Sequence, residues 1–247
     1  MLALGHYSAA IYKYSCMRLR VYNSGFVKNE VSSLTEVSQT ELFTDRCKSF
    51  LKPLSGNTIP ITVLYVDIIG SMKMTLYLSR EELEFVIKSF WEQISFTIEK
   101  HGGLVFKYVG DAVIAIFVQD DEVACRRAVE CGFDLIETLR SSVNSELVKK
   151  GIPRISIKLG IDYSDALVVS FGNDVDLIGF SLSIASKITA LASANIVLIG
   201  ECLFEQISHM GEVIKEICPS DYHVMKWNGI GNLQGNVIYR IYSLIQP

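Results

Sequence analysis

Apolar residues recur along this chain at two periods, and the places where the period changes predict its elements. From Ile59 to Val66 nearly every residue is β-branched or aromatic, as in a central strand covered on both faces, and Asp67 ends the run. Ser79 with Glu81 and Glu82 behind it predicts a helix start, and Leu83, Ile87, Phe90, Ile94 and Ile98 then fall at helical spacing until His101-Gly102-Gly103. Leu104–Tyr108 and Ala112–Val118 flank Val109-Gly110-Asp111 and predict a tight hairpin. A second helix runs from Asp120-Asp121 through Ala128 and Leu135 towards Leu147, stopping at Gly151 and Pro153. After it come strands Ile155–Ile161 and Ala166–Phe171, a loop Gly172–Gly179, a helix Phe180–Ala192 and a strand Ile196–Ile199. A short helix from about Glu201 to Ser208 and late strands near Tyr222–Trp227 and Val237–Leu244 complete the pattern.

Strand, helix, hairpin, helix, strand is the order of a ferredoxin-like βαββαβ sandwich, an α/β fold that here carries additional C-terminal strands and helices. Residues 1–57 differ: a Tyr-rich start, a polar stretch from Asn29 to Thr40, then Leu42, Phe43, Cys47, Phe50 and Leu51 at helical spacing before Pro53, Ser55, Gly56 and Asn57. They read as an N-terminal appendage and linker, with the main domain spanning 58–247. Whether the appendage docks on that domain or on a second chain is not written in the pattern.

Composition narrows the function. At 247 residues, with 49% hydrophobic and 20% charged content, the chain has material for one sizeable core. A net charge of −4 argues against a partner whose phosphate backbone must be neutralised, so no nucleic acid is expected. The six cysteines form no CxxC pair and no zinc spacing, and they read as reduced thiols of a cytoplasmic protein. No apolar run reaches the roughly 18–20 residues needed to span a bilayer.

The chemistry concentrates in two aspartates. Asp67 stands at the end of one strand, followed by Gly70-Ser71, and Asp111 stands in the turn of the next hairpin. Each by itself is also what a strand end or a turn ordinarily holds. Together, at one sheet edge, they would suit magnesium, which is usually held by one or two carboxylates plus substrate phosphates.

These residues resemble a known family, the class III nucleotide cyclases of the adenylate and guanylate cyclase type. Val66-Asp67-Ile68-Ile69-Gly70-Ser71-Met72 is similar to the family's first metal motif, the stretch from His101 through Lys107 and Gly110-Asp111 to Phe117 to its second, and Asp176 through Ser183 to Lys187 to its substrate helix. The resemblance covers about residues 59–243. It implies that Asp67 and Asp111 hold two Mg2+ or Mn2+ ions, that the N–H groups of Ile69, Gly70, Ser71 and Met72 cradle phosphate, and that Lys107 and Asp176 read the base. A Lys/Asp pair goes with adenine, so the implied reaction is ATP to 3′,5′-cyclic AMP and pyrophosphate, in a head-to-tail homodimer with shared sites. Lys226 stands where a lysine contacting the triphosphate is expected.

The match departs from the family on the last helix. Ser183 and Lys187 stand where Asn and Arg usually orient the ribose and stabilise charge on the phosphates, and lysine lacks the planar fork of arginine. Two alternatives follow: a catalytically weak nucleotide-binding or regulatory dimerisation module, or a cyclase using GTP or a pyrimidine triphosphate. The turn after Ile161 also differs, reading Asp162-Tyr163-Ser164-Asp165 where a glycine is usual.

Overall fold

The computed structural model describes residues 39–119, 121–208, 217–218, 225–228 and 236–244. The elements run α1 (Gln39–Leu51), a 3-10 turn (Lys52–Leu54), β1 (Thr58–Ile68), α2 (Ser71–Tyr77), α3 (Arg80–Lys100), β2 (Leu104–Val109), β3 (Ala112–Phe117) and α4 (Asp121–Thr138). A π-helical turn (Leu139–Val143) leads into α5 (Asn144–Lys149), then β4 (Ile157–Phe171), β5 (Asp174–Gly179), α6 (Phe180–Leu191), β6 (Val197–Gly200) and α7 (Glu201–Ile207). Four short strands close the list: β7 (Ile217–Cys218), β8 (Met225–Asn228), β9 (Asn236–Tyr239) and β10 (Ile241–Leu244).

The first four strands lie in the order β2-β3-β1-β4, with β1 antiparallel to both neighbours. With helices after β1 and β3, this is the expected ferredoxin-like arrangement. β6 adds in parallel beyond β4, β10 and β7 continue that edge, and β8 with β9 forms a separate ribbon.

Alternation along β1 sends its side chains to two different cores. Leu64, Val66 and Ile68 pack beneath Val86, Phe90, Ile94 and Ile98 of α3 and Cys125, Val129 and Leu135 of α4. Serine starts α3 as its spacing predicts: Ser79 Oγ accepts the Glu82 N–H at 3.2 Å, and the Ser79 N–H donates to Glu82 Oε2 at 2.8 Å, a capping box. Ile61 and Val63 face the other way, into a cluster closed by Cys47 and Leu51 of α1 and Ala185 of α6. Thus α1, from the described part of the appendage, docks on the main domain, with Phe43, Cys47 and Leu51 all buried.

Helix α6 lies against the sheet because Gly160 lets it. A Cβ there would sit 2.4 Å from Thr189 Oγ1 and 2.5 Å from the Ala185 carbonyl oxygen. Thr189 Oγ1 instead donates to that carbonyl at 2.7 Å.

Several expected elements are corrected. The strands Ile155–Ile161 and Ala166–Phe171 are one strand, β4, because Asp162–Asp165 pairs along Pro60–Val63 of β1 rather than turning. Asp162 is fully buried there; burial pushes its carboxyl up to about 6, and the Tyr239 hydroxyl, donating at 2.7 Å, opposes that shift. The expected loop Gly172–Gly179 is largely strand β5, in which Val175 and Leu177 point inward while Asp174, Asp176 and Ile178 point out. The long second helix is broken by the π turn, and the last strand divides at Arg240 into β9 and β10 on different sheets. Asp120, the Tyr-rich start and the beginning of the strand near Tyr222 lie outside the described residues.

Cys47, Cys125 and Cys131 are buried free thiols. Among the described residues no helix is long and apolar enough to cross a membrane.

Candidate functional site

Asp67 is the penultimate residue of β1, and Asp111 follows Gly110, whose φ of 61° is a conformation L side chains rarely adopt. Val66 pairs with Val113, so the strand end and the hairpin turn lie side by side at one edge of the sheet. The two carboxylates meet there. Burial and then the negative charge of Asp111 push the Asp67 carboxyl up to about 6, against the opposing charge of Lys158, which lies across the β1–β4 ladder. Asp111 Oδ2 is buried and accepts no hydrogen bond.

A like-charged pair with an orphaned buried oxygen is what a divalent cation would satisfy, and hard carboxylate oxygens suit magnesium or manganese. Among the described residues no third His, Cys, Asp or Glu completes a metal cluster, so further ligands would come from phosphate and water.

Spacing alone did not single out Tyr65, although the signal was present: it stands two residues before Asp67 on the same face of β1. Burial, then the charges of Asp67 and Asp111, raise its phenol, while a hydrogen bond with Ser186 lowers it. Ser186 precedes Lys187 on α6, so this phenol links that helix to the carboxylate end of the strand.

Of the four N–H groups expected to cradle phosphate, the Ile69 N–H is already committed, donating to the Ser156 carbonyl at 2.8 Å because the β1–β4 pairing runs on past Ile68. The expectation narrows to Gly70, Ser71 and Met72. Gly70, with φ 77°, turns the chain into α2, whose first N–H groups have no intrahelical acceptor.

Lys107 and Asp176, 69 positions apart in sequence, are brought together: Lys107 Nζ donates to Asp176 Oδ2 at 2.6 Å. Asp176 Oδ1 accepts the Leu177 N–H at 2.8 Å, which fixes the carboxylate plane. Two local features aim this pair. The β2–β3 register slips between Val105 and Lys107, so Phe106 is a bulge residue, and bulges re-aim the side chain beside them. Asp176 stands on β5, opposite Val169 of β4, rather than in a loop. Sequence pattern brought both residues into view but not their contact.

Ser183 and Lys187 are both exposed on one face of α6, four positions apart. Lys226 falls on β8, whose side chains lie outside the described residues.

No protein-family model matches the chain. It is 28% identical over 161 residues to a cytidylate cyclase of Escherichia coli, a match covering 60% of this chain and 35% of that protein. To an adenylate cyclase of Anabaena cylindrica it is 26% identical, covering 56% of this chain and 28% of that one. The chain thus spans about a third of the length of these curated relatives. The guanylyl cyclase Cya2 superposes with a TM-score of 0.67 at 20% identity, over 78% of this chain and 94% of that one. The adenylyl cyclase CyaB from P. aeruginosa gives 0.63 at 21%, over 77% and 96%. The chain has the fold of a class III cyclase catalytic domain, and its resemblance to nucleotide cyclases holds in sequence as well as in structure.

Proposed function

We propose that this chain, built on the class III cyclase fold, closes a nucleoside triphosphate into its 3′,5′-cyclic monophosphate and releases pyrophosphate. The observation that carries the reading is the convergence of Asp67 and Asp111, with a buried oxygen left unsatisfied, at a strand end. In the reaction the ribose 3′-oxygen bonds to the α-phosphorus, its proton departs, and the bond from that phosphorus to the bridging oxygen of the β-phosphate breaks. Two divalent ions, Mg2+ or Mn2+, held by Asp67 and Asp111 would acidify the 3′-hydroxyl and neutralise the triphosphate.

The chain's own groups do the rest. The N–H groups at Gly70, Ser71 and Met72 receive phosphate oxygens, Ser183 hydrogen-bonds the ribose, and Lys187 sets a positive charge beside the phosphates. Because a lysine offers no bidentate fork, turnover is expected to be slower than with arginine at 187.

Lys107 and Asp176 supply one donor and one acceptor, which fit a base presenting a ring-nitrogen acceptor beside an exocyclic amine. Adenine presents that edge, which supports ATP as substrate. Cytosine presents it too, whereas guanine and uracil reverse the order, with the acceptor carbonyl outside the ring and the donor N–H within it, and so would need Lys107 and Asp176 to exchange places. CTP is therefore the second reading, on the strength of that base edge. A homodimer with head-to-tail shared sites is part of this reading; the β4–β5 hairpin holds Phe171 and Ile178 at 86% and 64% exposure, apolar surface of the kind an interface with a second copy would cover.

Incubation with each of ATP, CTP, GTP and UTP plus Mn2+, followed by mass detection of cyclic product, tests the reaction and the base. Cyclic AMP or cyclic CMP is expected, and exclusive cyclic GMP or cyclic UMP would overturn the base assignment. Mixing Asp67→Ala with Lys187→Ala chains tests the dimer, because one intact composite site should return.

A further inference from the structure

Helix α1 lies under the base-reading pair. Its Cys47 and Leu51 share one buried cluster with Phe106, the bulge residue before Lys107, and with Val175 and Leu177, which flank Asp176 on both sides. The helix therefore supports both strands that carry the pair, packing across β2 and reaching β5. On its exposed side Lys48 Nζ meets Asp174 Oδ1 at 2.9 Å.

Asp174 stands two residues before Asp176, on the same outward face of β5, and so is a rival partner for Lys107. The Asp174 carboxyl is held below its usual range first by its hydrogen bond and charge contact with Lys48, and the charge of Lys107 reaches it as well, as the last of its causes. Lys107 itself has two tethers, the Asp176 carboxylate and the Phe106 ring, whose centroid lies 4.9 Å from Nζ. A lysine within reach of two carboxylates divides its time according to the free energy of each contact, and a carboxylate already paired with another cation attracts it less.

We infer that Lys48 is a positioning residue for base selection: by occupying Asp174 it leaves Lys107 to Asp176, so that helix α1, which precedes the catalytic strands, sets how strictly the site reads the base. This rests on the proposed cyclase reading and deepens it. Nothing covalent changes at Lys48, and it touches no substrate. Its effect passes through Lys107.

Masking of Asp174 and a merely structural ion pair differ in one testable respect. If the pair only braces α1, losing either partner does equal harm and losing both is no better. If Lys48 acts by masking Asp174, removing Asp174 repairs the loss of Lys48. The experiment uses the full chain as wild type, Lys48→Ala, Asp174→Asn and the double variant, measuring kcat and KM for all four triphosphates with Mn2+.

Lys48→Ala should lower kcat/KM for the preferred triphosphate about fivefold, mainly through KM, with a matching loss of base preference, the size an exposed ion pair carries. Asp174→Asn should keep wild-type preference, and the double variant should recover it. A double variant no better than Lys48→Ala, or an unchanged preference in Lys48→Ala, overturns the inference. Hydrogen exchange at the Leu177 amide, which donates to Asp176, is read on the same four proteins. If the wild type cyclises no triphosphate, the functional reading fails, and exchange still decides the positioning: faster in Lys48→Ala and restored in the double variant upholds it, unchanged exchange sinks it.

Discussion

Two pairs of charged side chains sit on the same hairpin system and are in opposite states. Lys107 and Asp176 carry opposite charges, meet at 2.6 Å and are satisfied by each other and by a backbone N–H. Asp67 and Asp111 carry like charges, crowd each other, and leave one buried oxygen with no donor. The satisfied pair is exposed enough to exchange its internal contact for the edge of a ligand. The frustrated pair cannot relax by itself: it needs either a proton or a cation. A surplus of repulsion retained at a strand end marks a binding function better than a well-formed ion pair does.

The sharpest way to break the comparison is to remove one member of the frustrated pair. Asp67→Ala and Asp111→Ala should each lower cyclase turnover by at least the ~10²–10³ seen for loss of one transition-state group, while thermal stability without metal holds or rises because repulsion is gone. Activity assays beside thermal melts check both halves, and a stable, fully active variant would contradict the pairing. Breaking the satisfied pair should do less. Lys107→Ala is expected to cost on the order of 10–10² in kcat/KM for the preferred nucleotide, the worth of a charged hydrogen bond, and to relax base choice.

Support beneath the satisfied pair has its own test. Leu51 is fully buried between α1 and the sheet, so Leu51→Ala should cost about 2–5 kcal/mol of unfolding free energy, measured by urea denaturation. The smallest change expected is a gain: Lys187→Arg, which restores a planar fork on α6, should raise kcat several-fold, on the order of a single improved phosphate contact. A drop in kcat with unchanged stability would place Lys187 away from the reacting phosphates.

How much of this was legible in the chain depended on distance along it. The strand ending at Asp67, the turn at Gly110-Asp111 and the capping box at Ser79 and Glu82 are local devices, and each is written in adjacent residues. The contact of Lys107 with Asp176 depends on β5, which is hidden because Gly172-Asn173 and two aspartates read as a loop; the one local trace of a strand is Val175 and Leu177 spaced two apart around Asp176. The Phe106 bulge leaves no mark in composition, since an extra residue in a ladder is defined by its partner strand. Asp162 was mistaken for a turn residue because a buried acid makes sense only once Tyr239, 77 positions away, supplies a hydroxyl. Docking of α1 was open for the same reason. Its apolar stripe was visible, and the surface it covers was not.

Asp67 titrates in a way that can be watched directly. Asp67 holds its proton up to about pH 6 when folded but releases it near 3.8 when unperturbed, so the metal-free protein gains stability as pH falls through 6 and loses it as pH rises. A bound cation reverses the preference by favouring the charged form. Carboxyl NMR of Asp67, titrated with and without Mg2+, is the most direct test. A midpoint of about 6 alone that falls below the ordinary carboxylate range when Mg2+ is added is the predicted result. An ordinary midpoint that Mg2+ leaves unmoved would contradict the claim that these two aspartates form a cation site.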